Sequence, residues 1–224
     1  MRYFVVLLLI FALAPIARAE TPQSTGSCHC FKDRAYNPDK KFAADKYLLT
    51  TSFNSFIAVN FNLSKSKIVM MKMRGGVDPD TLLIALYVAK EGGVDLDEVL
   101  TVLEHELSWS EIFASSSLNG NAKAKKVFAA IEATKGDDAV AAEIVTDQLL
   151  KNYFGMTDKA IASFRKEGIT GRELVLVTIL AGHNAHSSSA EDIIAMHGKQ
   201  QKSWSEIAAV LGFTPKETGH LLKN

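Results

Sequence analysis

Ser108-Trp109-Ser110-Glu111-Ile112 recurs as Ser203-Trp204-Ser205-Glu206-Ile207, and these two stretches hold the only tryptophans of the 224-residue chain. In each, a serine and a glutamate stand three apart, the spacing of a capping box. The hydroxyl accepts from a free amide of the first turn, and the carboxylate reaches back to the serine amide. The acid also faces the positive end of the helix dipole. Trp109 and Trp204 then fall at the first helical position, where a large ring can anchor the joint with the preceding helix. An aromatic platform for a ligand is the other use of such a ring, and it requires exposure.

Around these stretches two longer series match. The first runs Phe61, Leu63-Ser64, Ile68, Gly75, Val77, Leu82, Trp109, and the second Phe154, Met156-Thr157, Ile161, Gly168, Ile169, Leu174, Trp204. The offsets are 93 for the phenylalanines, isoleucines and glycines, 92 for the leucines and 95 for the tryptophans. Steady spacing with small insertions is the mark of an internal duplication. Ser64 and Thr157 suit helix N-caps, and Gly75 and Gly168 suit left-handed C-terminal positions. Asp78-Pro79 opens the next helix in one series, and Thr170 with Glu173 makes a capping box at that joint in the other. Asp95 with Glu98, and Ser189 with Asp192, open the helices after those. Thr214-Pro215-Lys216-Glu217 starts the last. No stretch alternates as a strand does. The expected fold is all-α, two pseudo-symmetric copies of about four short helices each.

The ends divide the chain further. Residues 1–19 read as a signal peptide: Arg2, an apolar core from Phe4 to Leu13, and Ala17-Arg18-Ala19 before the cut. The core is too short to span a bilayer, so membrane contact is expected only through an uncleaved anchor. Residues 20–41 form a flexible leader. Copy 1 is expected over 42–118, a linking helix over 119–136 and copy 2 over 137–224. Within copy 1, Tyr47, Leu48, Phe53, Phe56 and Ile57 outline a buried face over Phe42–Asn60. After cleavage 205 residues remain, with 23 Lys+Arg against 25 Asp+Glu. That balance excludes the basic field nucleic acid requires. The destination is the periplasm or the exterior, where disulfides are permitted.

Gly168-Ile169, Glu173-Leu174 and Ser203-Trp204-Ser205-Glu206-Ile207-Ala208-Ala209-Val210-Leu211-Gly212 resemble a helical repeat of exported bacterial proteins of unknown function. There a Ser- or Gly-rich tryptophan segment precedes a Glu-Ile-Ala…Leu-Gly run. The resemblance covers about 154–213 well and 61–112 loosely, since Phe113-Ala114-Ser115 departs from it. It implies an all-helical exported protein and no activity.

Cys28-His29-Cys30 is the first candidate for chemistry. Two thiolates and an imidazole suit a soft ion such as zinc or copper, but a closed zinc site needs four ligands at wider spacing. An oxidised cysteine pair is the alternative reading. The second candidate is His183 and His186, three apart in a loop two residues longer than its counterpart Glu91-Gly92-Gly93-Val94, with His197, Glu191 and Asp192 following. Residues 204–222 have the outline of a helix-turn-helix, but few cations to meet a phosphate backbone. Lys65, Lys67, Lys72 and Arg74 interleave with Ile68, Val69 and three methionines, which reads as a core helix with a solvated lysine face. No nucleophile elbow, phosphate loop or metalloprotease helix is present. The expectation is a non-enzymatic surface for a protein or small-molecule partner, with no cofactor. The alternative is a periplasmic metal-binding or metal-sensing protein using the Cys-His-Cys leader and the His-x-x-His loop.

Overall fold

The computed structural model describes residues 31–105, 108–114, 118–185 and 187–222. Among them it is all-α, with twelve α-helices and no strand. The first six are α1 (Asp45–Phe61), α2 (Lys65–Arg74), α3 (Pro79–Gly92), α4 (Leu96–Glu104), α5 (Trp109–Ala114) and α6 (Ala122–Glu132). The second six are α7 (Asp138–Phe154), α8 (Asp158–Lys166), α9 (Gly171–His183), α10 (Ala190–Gly198), α11 (Trp204–Val210) and α12 (Pro215–Thr218). Each helix of the second series opens 92 to 95 residues after its counterpart in the first. The spacing predicts about four helices per copy and a separate linking helix; there are six in each series, and the linking stretch forms α6, which opens 93 residues before α12.

The starts follow side-chain chemistry. Ser64, Asp78, Asp95, Asn121, Asp137, Thr157, Thr170, Ser189, Ser203 and Thr214 each accept a hydrogen bond from an amide of the first turn. Such caps contribute about 1 kcal/mol apiece by satisfying amides that the helix leaves free. Both glutamates of the tryptophan stretches make only half of the expected box. Glu111 reaches back to the Ser108 amide at 2.7 Å. Ser203 Oγ accepts from the Glu206 amide at 3.1 Å, while the Glu206 carboxylate faces Lys41 and Lys202 instead.

One stop signal falls a residue away from its expected place. Gly168 is left-handed, at φ 83°, but Gly75 keeps helical torsions at φ −75°. The left-handed residue is Gly76, at φ 64°. Gly75 is small for another reason: a Cβ there would lie 2.6 Å from the Met71 carbonyl oxygen.

Four helices make the centre: α1 packs on α9 and α3, and α7 packs on α3 and α9. Thr51–Ala58 in α1 and Leu82–Ala89 in α3 are buried without a break, as in a helix surrounded by others, and α1 carries Thr51, Ser52, Asn54 and Ser55 inside with its apolar residues. The strongest pairings are α3 with α7 and α1 with α9. Helices α3 to α7 therefore form one continuous group, each of α4, α5 and α6 touching the next. The other group is α9 to α12 completed by α1, which docks on α9, α11 and α12 from the far end of the chain. Asp45 fastens that closure by accepting from the amides of Trp204 (3.0 Å) and Ser205 (2.8 Å), placing a carboxylate at the N-terminus of α11.

Helix α2 buries Ile68 and exposes Lys67 and Arg74 as expected, but one lysine departs from the solvated face. Lys72 is buried on the same face as Ile68, and its ammonium donates to Asn54 Oδ1 at 2.8 Å. Met70 and Met73 are exposed instead. The spacing of four residues from Ile68 to Lys72 puts both toward α1, where an amide oxygen is available to the ammonium. The matching positions of α8 and α7 form the same contact, Arg165 to Asp147, with both partners charged.

Candidate binding groove

Helix α4 buries only Val99 and shows a polar outer face. It is held at its start by Asp95, whose Oδ1 accepts from the Asp97 amide at 2.8 Å. Asp97 and Glu98 follow in the first turn, complementing the helix dipole. Helix α5 turns its Trp109 and Ile112 inward. The indole is 5% exposed and donates to Asp138 Oδ1 at 2.8 Å, so the ring is an anchor onto α7 and not a platform.

Between α4 and α5 lies a cavity of about 650 Å³. Val94, Val99, Val102, Ile112 and Leu118 supply its apolar lining. Asp95, Asp97, Glu98 and Glu111 supply its acidic edge. The Glu111 carboxylate accepts from the backbone amide and the hydroxyl of Ser108, and these two bonds hold its pKa below the usual carboxylate value. Among the described residues no lysine or arginine pairs with any of these four acids.

The matching surface of α10 and α11 is made differently. In the places of Val102 and Leu118 stand the larger Met196 and Phe213, packed against the core as Val102 and Leu118 are. In the place of Glu111 stands Glu206, which has Lys41 at 3.4 Å and Lys202 at 4.0 Å. Trp204 is 2% exposed, donates to Glu173 Oε1 at 3.1 Å and stacks on the His197 ring at 4.0 Å. His197 Nδ1 lies 2.8 Å from the Lys202 carbonyl oxygen. The ring borders a smaller cavity of about 330 Å³ with Glu167, Glu173 and Glu191. The groove escaped the sequence reading because its opening depends on residue sizes across a helix joint. The substitutions of Val102 by methionine and Leu118 by phenylalanine between the two series were the available signal.

The metal candidates are placed as follows. Cys28, His29, Cys30 and His186 lie outside the described residues. His183 is the exposed last residue of α9, its Nδ1 2.8 Å from the Ile179 carbonyl oxygen. The loop after it is organised by Asn184, which donates to Leu180, Ala181 and Ser188 carbonyls and accepts from the Ser188 amide. Among the described residues no group of three or more His, Cys, Asp or Glu side chains converges as a metal ion would need. The helix-turn-helix outline ends in a four-residue α12 whose Pro215 and Thr218 are buried, packed on α1. Among the described residues no helix is long and apolar enough to cross a membrane.

Comparison with protein-family models, curated proteins and solved structures finds no match to this chain.

Proposed function

We propose that this is an exported, non-enzymatic protein of the periplasm or exterior, made of two copies of one six-helix unit after a signal peptide, that binds a partner molecule. The groove between α4 and α5 is where binding takes place. Two lines of observation support the duplication: helix openings recurring at 92 to 95 residues, and the Lys72–Asn54 contact recurring as Arg165–Asp147. In this reading the protein resembles exported helical repeat proteins and needs no cofactor.

The groove carries the functional part. Its volume of about 650 Å³ falls in the range of roughly 300–1,000 Å³ usual for small-molecule sites. It lies on one series, and in the other the positions of Val102 and Leu118 carry the larger Met196 and Phe213. In duplicated scaffolds the shared parts hold the fold, and a difference between copies is where a function can reside. The test is binding of a neutral apolar dye, Nile red, to the mature protein. Wild type is expected to bind it, and Val102→Met/Leu118→Phe, which installs the other copy's residues, to lose it. Equal dye binding by both proteins would remove the groove from the function.

A further inference from the structure

Resting on the groove as the binding site, we infer that its ligand is a small amphiphilic cation, an apolar body bearing an ammonium or guanidinium group. The lining selects the body. Val99 and Ile112 are almost wholly buried in the groove floor, with Val102 and Leu118 beside them, and an alkyl or aromatic moiety gains there by leaving water. The edge selects the charge. Four carboxylates surround the mouth, and Glu111 is held ionised by its two Ser108 bonds.

The protein itself shows what such a carboxylate accepts. Glu206, the counterpart of Glu111, faces two ammonium groups, Lys41 at 3.4 Å and Lys202 at 4.0 Å. The positions that match Lys41 and Lys202 by the same offsets, 93 later and 95 earlier, are Thr134 and Leu107, neither of them a cation. Glu206 faces cations from within the chain, and Glu111, with Asp97 and Glu98, is left to an external one. An anionic or neutral amphiphile would instead set its head among uncompensated carboxylates.

Displacement of Nile red from the mature protein, with Ile112 and Val99 methyl shifts followed by NMR, tests this with three probes of one chain length. Octylammonium is expected to displace the dye about tenfold more tightly than octanol, from its head group lying among exposed carboxylates. Octanoate is expected to be the weakest of the three. The preference for octylammonium over octanol should shrink as salt rises and vanish in Glu98→Gln/Glu111→Gln, read as the ratio of the two displacement constants within that variant. Octanol binding as tightly as octylammonium would overturn the cationic ligand while leaving the groove as an apolar site. Dye binding that none of the probes displaces, or that leaves the Ile112 methyl unmoved, would overturn the groove reading as well.

Discussion

Asp80 and Arg172, second residues of α3 and α9 and 92 apart in the chain, meet in an ion pair, Arg172 Nη2 to Asp80 Oδ1 at 2.7 Å. The guanidinium also lies over the Phe53 ring, 5.2 Å from its centroid. The two side chains are about a third exposed, 38% and 31%, so the pair stabilises modestly. A double-mutant cycle of Asp80→Ala and Arg172→Ala in urea is expected to give a coupling of about 0.2–1 kcal/mol, falling with salt. Arg172→Ala alone should cost more than Asp80→Ala, because it also removes the cover over Phe53. Equal costs would mean the ring contact contributes nothing.

Trp204 seals the joint of α10 and α11 against α9. Trp204→Ala should destabilise by about 3–5 kcal/mol, since the ring is 2% exposed. Trp204→Phe should recover most of that and leave the cost of the lost bond to Glu173. Ser203→Ala should cost about 1 kcal/mol through the cap it removes from the Glu206 amide. Thermal and urea unfolding of the three variants checks the order. A Trp204→Ala protein as stable as wild type would contradict the anchor.

Lys72 gives the protein an unusual alkaline response. Burial, and then the nearby Arg172 charge, lower its pKa from 10.5 to about 8. The unfolded chain thus holds that proton more tightly than the folded one. Below about pH 8 the cost of burying the charge is present in full, between about 8 and 10.5 it is progressively relieved, and stability rises with pH through that window. Lys65, lowered to about 8 by burial, acts in the same direction. The stability difference between Lys72→Met and wild type should therefore shift in favour of wild type by on the order of 1–3 kcal/mol from pH 7 to pH 10.5. A difference that stays constant with pH would show the ammonium to be well solvated.

The leader cysteines separate structure from metal. The loop that a Cys28–Cys30 bridge would close is so short that it removes little chain entropy. Cys28→Ser/Cys30→Ser is expected to melt with wild type, with or without chelator. A zinc- or copper-dependent rise in the wild-type melting temperature, absent from the variant, would establish a metal role by mass action.

Much of the local architecture was legible in the residues. Ser64, Thr157, Thr170 and Ser189 sit where capping chemistry places them, because a cap is decided within four residues. Gly75 misled because two adjacent glycines offer the same freedom, and only the close Met71 carbonyl distinguishes them. Lys72 misled because periodicity assigns a face without saying what waits on it, and Asn54 lies 18 residues away. The pairing of α1 with α9 was beyond reach for the same reason. Helices α1 and α7 have equal length, 17 residues each, and nothing in an apolar pattern selects which neighbour a central helix takes. The groove is a further step removed, since it depends on the volumes of Val102 and Leu118 at a joint between helices.

The docking of α1 on the end of the chain sets a timetable for the nascent polypeptide. Helices α3 to α7 meet partners made within moments of themselves, so the middle of the chain can acquire structure while synthesis continues. Helix α1 is made early and waits longest. Ser55 donates to the Gly219 carbonyl 164 residues later, and Asp45 bonds amides at 204 and 205. Helix α1 meets α2 and α3 at once, but the flank that takes α11 and α12 has no native cover until the final turns emerge, and the last group cannot close before then. A chain drawn N-terminus first through a narrow channel would thus reach the far side with its ends unmated, and its final fold would be completed only there.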